Sequence, residues 1–236
     1  CWHTVRKEWE TIFKTQLYTH KQMFRNAVCG YFFVYLPHMT ENCFRKFVTV
    51  YSESSKGKRI KEREHMKIFE PLKLKKLELK NRMVVSAMVT NYCTPDGMAT
   101  EKFIAYHEHK AKGGWGLIIT EDYAITKTAG GFKNLPGLWE DAQIESHRKL
   151  TERVHAAGGT IAAQIYHAGR ETSSAITGEQ PVAPSAVREP SMPETPRELS
   201  VEEIYELVEQ FGDCARRAKE AGFDAVEVHG AHGYLV

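Results

Sequence analysis

Short apolar runs alternate with amphipathic segments through most of this chain, and the alternation begins after Met66. Arg82–Met88, RMVVSAM, follows the turn-like Leu79-Lys80-Asn81 and has the length and apolar density of a buried strand. Thr94-Pro95-Asp96-Gly97 is turn chemistry. Thr100 to Lys112 predicts a helix ended by Gly113-Gly114. A second strand is led by Leu117–Ile119 within GLIITEDYAI. Ala142 to Ala157 predicts a helix with Ile144, Leu150 and Val154 inward, stopped by Gly158-Gly159. Thr160–Tyr166, TIAAQIY, is the third strand. Ser200 opens another helix through a capping box with Glu203, and Ile204, Leu207, Val208, Phe211 and Ala215 form its apolar stripe. Gly222 stops that helix, and Ala225–His229, AVEVH, is the fourth strand.

Buried strands alternating with helices mean parallel βα units. A doubly wound nucleotide fold should carry a Gly-rich phosphate loop after its first strand. SAMVTNYCTPDG stands there instead. A (β/α)8 barrel gathers its chemistry at the carboxyl ends of its strands. Thr90 and Asn91, Glu121 and Asp122, Gln164 with His167 and Arg170, and His229 with His232 all fall at such ends. The fold class expected is α/β, a TIM (β/α)8 barrel, with residues 66–236 supplying roughly its first four βα units. The Pro-, Ser- and Thr-rich stretch Gly169–Leu199 is expected over the mouth of the site.

Residues 1–65 show no sustained period and carry 12 Lys+Arg against 6 Asp+Glu, whereas the remainder carries 20 against 24. This asymmetry suggests two origins or two jobs. Ser52–His65 reads as linker or disorder. Lys61-Glu62 can be encoded by a purine run like a bacterial ribosome-binding site, so Met66 is expected to be the true start and residues 1–65 an extension that is not a folded domain. A small basic nucleic-acid-binding module is the competing reading, and no recognition-helix pattern supports it. Overall the chain is 42% hydrophobic and 26% charged with net charge +2, which gives no nucleic-acid signal. Its five cysteines are too sparse for a disulfide framework and have no metal spacing. The longest apolar run, Ala27 to Leu36, is about half a bilayer span. A soluble cytoplasmic protein with neither membrane nor nucleic-acid partner is expected.

Five segments then come in order: Leu79-Lys80-Asn81-Arg82, Gly116–Glu121, Gln164–Arg170, Pro181–Ser185 and His229–Leu235. Together they resemble the NADH:flavin oxidoreductase/old yellow enzyme family, continuously from Met66 to Val236. The TNY after Met88 is most similar to the multidomain branch with NADH oxidases and 2,4-dienoyl-CoA reductases. The resemblance implies FMN at the barrel mouth, reduced by NADH or NADPH, and hydride passed to an activated alkene: an enone, enoate or dienoyl thioester. In that branch a 4Fe-4S cluster and FAD occupy a further C-terminal region. The resemblance gives Gln164 the flavin's pyrimidine edge, because an amide both donates and accepts. Ser86, Ala87 and Met88 would line the flavin. His229 and His232 would grip the substrate's carbonyl oxygen, and Tyr234 would be the proton donor.

Val89 departs from relatives that place a hydrogen-bonding Thr or Cys there. The paired histidines tilt the reading toward enone-like substrates. Blander readings stand beside these. His229 and His232 could hold a metal, but no third ligand is spaced to help. Either histidine, Tyr234 and Gln164 could be structural. Glu121 and Asp122 are a general acid/base pair or rim carboxylates, the latter being favoured. Arg170 touches the flavin or anchors its loop, and Trp115 and Trp139 are packing residues. A dihydroorotate dehydrogenase-like barrel is disfavoured by the histidine–tyrosine cluster. Alternatives for the function are a non-catalytic or decayed fragment, or an NADH oxidase without a dedicated organic acceptor. Because barrel phosphate sites use the loops after strands seven and eight, the polypeptide as it stands is expected neither to bind FMN tightly nor to turn over. The oligomeric state is left open.

Overall fold

The computed structural model describes residues 66–236, and the expectations for residues 1–65 lie outside the described residues. The chain first makes an antiparallel hairpin of β1 (Leu72–Leu74) and β2 (Leu77–Leu79), turning through Lys75 at φ 52. Leu79 is therefore strand, not turn, and is fully buried. Period-two alternation in LKLKKLEL is the signal for this hairpin.

Four parallel strands follow, in the order β3 (Val84–Val85), β4 (Leu117–Ala124), β5 (Ile161–Tyr166) and β8 (Ala225–Val228). The expected strand Arg82–Met88 thus shrinks to two paired residues, because among the described residues β3 has a neighbour on one side only and the chain leaves the sheet after Val85. The helices are α1 (Glu101–Lys112), α2 (Ile144–Ala156), the short α3 (Ser174–Thr177) and α4 (Val201–Glu220). Thr100 caps α1 by accepting the Phe103 N–H, and Ser200 with Glu203 forms the capping box of α4. A 3-10 turn at Asp141–Gln143 precedes α2, so the helix starts slightly later than its pattern predicts. Inside the loop between β5 and α4, two short parallel segments pair: β6 (Val182–Ala183) and β7 (Arg197–Glu198).

Two apolar clusters define the sides of the sheet. Ile118, Tyr123, Ile161 and Ile165 face Phe103, Leu150, Val154 and Phe211 from the helices. Leu117, Ile119 and Ala162 face the other way and meet Leu79, with the hairpin leucines packed against them. All three lie in the amino-terminal halves of their strands, so the hairpin closes that end and leaves the carboxyl end for chemistry. The α4 stripe includes Cys214 and Ala218, both fully buried, beside the half-buried Ile204, Val208 and Ala215. No helix among the described residues is long and apolar enough to cross a membrane.

Gly212 sits within α4 with nothing inside 4 Å of where a Cβ would stand. Gly212→Ala should therefore raise stability by about 0.5–1 kcal/mol, read as a higher urea midpoint. An unchanged or lower midpoint would contradict that open space.

Candidate active site

Strand register builds the inner wall. Asp122 pairs with Gln164, and Gln164 pairs with Glu227, across β4, β5 and β8. Paired residues project to the same face of a sheet. The same face carries Ala162 and Ala225 lower down, in the cluster that closes the floor. Asp122, Gln164 and Glu227 thus form one row above that floor. The row is tied on one side: Gln164 Nε2 donates to Glu227 Oε1 at 2.7 Å.

The segment after β8 brings in the rest. The His229 N–H donates to the Ile165 carbonyl, and the chain then turns with His232 at φ 61 and Gly233 at φ 78. This folds His232 back so that its Nδ1 lies 3.2 Å from His229 Nε2. The Tyr234 ring stands edge-on to His229, centroids 4.8 Å apart, and edge-on to Tyr166 at 5.1 Å. Gly169, at φ 61, meets the same segment so closely that a Cβ would lie 2.8 Å from Leu235 N. The Leu235 N–H donates to the His167 carbonyl.

Protonation follows from these contacts. The Ala231 N–H donates to His229 Nδ1 at 3.3 Å, so Nδ1 is an acceptor and the proton of the neutral ring sits on Nε2. Burial, then the neighbouring His232, pushes the His229 pKa down to about 4. At neutral pH His229 is an uncharged donor. Burial, then Asp122 and Glu171, pushes Tyr234 up to about 12, so its phenol keeps its proton. Burial likewise lowers His167 to about 4, and its Nδ1 accepts the Gly169 N–H.

Of the two rim carboxyls, Glu121 accepts from both the N–H and the Oγ1–H of Thr90, as the favoured rim reading expects. Asp122 has no hydrogen-bond donor among the described residues; its nearest charge partner is His229 Nε2 at 4.0 Å.

The structure therefore brings together His229, His232 and Tyr234, with Gln164 in the adjoining row. Ser86, Ala87 and Met88 follow β3, at the opposite edge of the sheet from β8. Met88 is 63% exposed, Ser86 is exposed, and Ala87 packs on the floor cluster. Arg170 Nε lies 3.9 Å from Glu171. Trp139 packs against the core, whereas Trp115 stays exposed. The described residues hold no group of three or more side chains able to bind a metal. Sequence reasoning missed Glu227 and Tyr166. Glu227 was detectable: in AVEVH it alternates with Val226 and Val228, which face the helices. Tyr166 is fully buried and its hydroxyl accepts the Gly131 N–H at 2.7 Å, a loop contact with no sequence signal.

This arrangement has close counterparts. The profile of the NADH:flavin oxidoreductase / NADH oxidase family matches residues 67–236. An NADH oxidase from Thermoanaerobacter brockii is 42% identical over 173 residues, covering 72% of this chain and 26% of that protein. An NADPH dehydrogenase from Bacillus subtilis (strain 168) is 40% identical over 171 residues, covering 72% of this chain and 50% of that protein. Among solved structures, the old yellow enzyme homologue from Zymomonas mobilis superposes with a TM-score of 0.66 at 36% identity, covering 72% of this chain and 50% of that one. Morphinone reductase in complex with tetrahydroNAD gives 0.67 at 37% identity, covering 72% and 51%. The chain thus spans between a quarter and a half of the length of these curated relatives. On the profile match over residues 67–236, the chain belongs to the NADH:flavin oxidoreductase / NADH oxidase family.

Proposed function

We infer that the whole protein is an FMN-dependent oxidoreductase that carries hydride from NADH or NADPH to the β-carbon of an activated alkene. One observation carries this reading: two imidazoles, one of them held neutral, and a protonated phenol converge beside an oriented amide at the carboxyl end of a parallel sheet. The donor set suits a flavin ring. Gln164 spends one N–H on Glu227 and keeps its carbonyl oxygen and second N–H, which match the alternating acceptors and donors of an isoalloxazine pyrimidine edge. When bound, FMN supplies the hydride that no side chain here can carry. Turned from His232 to the substrate's carbonyl oxygen, the His229 Nε2–H meets the negative charge that develops there, and does so without a formal positive charge. Tyr234 delivers the proton to the α-carbon, completing addition of H2 across the double bond. The paired histidines favour enone-like acceptors.

The test uses the whole protein encoded by the gene. It should purify with flavin absorbance, consume NADH or NADPH without oxygen when given a cyclic enone, and yield the saturated ketone. Protein without flavin overturns the reading. Nicotinamide consumed only with oxygen, and the enone returned unchanged, assigns the NADH oxidase alternative. Iron analysis of the same sample shows whether a 4Fe-4S cluster, and with it an FAD-bearing region, accompanies the barrel.

A further inference from the structure

We propose that Asp122 is a further functional residue of this site: a carboxyl in the row with Gln164 and Glu227 that switches at neutrality between presenting an O–H and presenting a negative charge to the ligand against that row. That the ligand is a flavin rests on the function proposed above; the protonation state does not.

Three carboxyls crowd this end of the sheet, and they differ in what surrounds them. Glu121 has the N–H and hydroxyl of Thr90. Glu227 has the Gln164 amide and is only half-buried. Asp122 is 4% exposed and has no donor among the described residues. A buried carboxylate without a donor is costly, and like charges close by add to the cost. With no donor among the described residues, Asp122 is the carboxyl whose negative charge is least compensated.

The titratable groups around Asp122 are Glu121 on its own strand, Tyr166 on β5, Glu227 and His229 from β8 and its end, and Tyr234 and His232 beyond. The imidazole nearest to Asp122 supplies no cation: His229 lies beyond hydrogen-bond distance, is neutral, and directs Nε2 toward His232. Burial first, then Glu121 and Glu227, pushes the Asp122 pKa up to about 7. Burial also raises Glu121 and Glu227, but there the donors pull the other way.

The usual order is thereby inverted: near neutrality the carboxyl changes charge and the imidazole does not. A neutral acid at a pyrimidine edge can donate to a flavin carbonyl oxygen, which gains charge on reduction. Its ionisation at higher pH opposes that same charge.

The test begins with the flavin-free protein. Side-chain carboxyl carbon resonances are followed by NMR from about pH 4 to about pH 9. Asp122 is assigned by loss of its signal in Asp122→Asn and, independently, by through-bond correlation in the unaltered chain. A midpoint near 7, with ring nitrogens of His229 that stay in the neutral pattern, is the expected result. A midpoint in the ordinary carboxylate range, or an imidazolium at His229 near neutrality, overturns the proposal. In the flavin-loaded protein the midpoint potential should fall more steeply with pH across neutrality than in Asp122→Asn. Parallel slopes overturn the placement of Asp122 against the flavin. Since the first measurement needs no cofactor, a failure of the flavin reading leaves a distinct signature.

Discussion

Tyr234→Phe should slow reduction of the alkene by roughly 10²- to 10⁴-fold while leaving reduction of the flavin by NAD(P)H untouched. Phenylalanine keeps the ring that packs on His229 and Tyr166 and removes only the hydroxyl. Burial holds the Tyr234 proton on the ring well above neutral pH. The phenol is therefore a ready but weak acid, useful once the neighbouring carbon has acquired carbanion character. Rapid-mixing experiments on the two half-reactions separate the steps. An oxidative half-reaction of unchanged rate would show that another group, or water, delivers the proton.

Gly116→Ala should cost about 3 kcal/mol of folding stability, seen as a large drop in the denaturant midpoint. Gly116 lies between α1 and β4, where the chain passes under Asn81. A Cβ there would stand 2.2 Å from the Asn81 carbonyl oxygen and 2.6 Å from its side-chain oxygen. Asn81 cannot retreat cheaply. Its Nδ2 donates to Gly114 O at 2.8 Å, its Oδ1 accepts the Met83 N–H, and the Gly116 N–H itself donates to Met83 O. These bonds fix the start of β3 against β4, so the clash is transmitted to the pairing of Val84 with Leu117. A midpoint within experimental error of the unaltered protein would mean that the Asn81 turn is far softer than its bonds indicate.

Much of the fold could be read from residues that act locally. Ser200 and Glu203 cap α4 as their spacing requires, and the glycines after Lys112 and Ala157 end α1 and α2 near where the pattern breaks. What escaped depends on partners distant in sequence. The hairpin β1–β2 is weak by propensity and exists because its leucines meet Leu117, Ile119 and Ala162. At the site, His229, His232 and Tyr234 were recognisable from sequence, being close together in the chain. The different fates of Glu121 and Asp122 were not. The pairing of β4 with β5 shifts between Ile119 and Asp122, and a shift of one residue reverses which side chain faces inward. Alternation counted from Leu117 cannot anticipate that, so only the folded strand shows that Thr90 takes Glu121 while Asp122 joins Gln164.

The close approach of Gly169 to Leu235 locks together the two rim segments that follow β5 and β8. Outward movement of the imidazoles and the phenol would have to break the Leu235–His167 hydrogen bond and open that close approach. The stretch between Ser174 and Glu198 carries only a single helical turn and one short strand pair, so it has fewer such ties to break. Under the proposed function, the relative placement of the imidazoles and the phenol is then fixed on folding, and admission and release fall to a different stretch of chain.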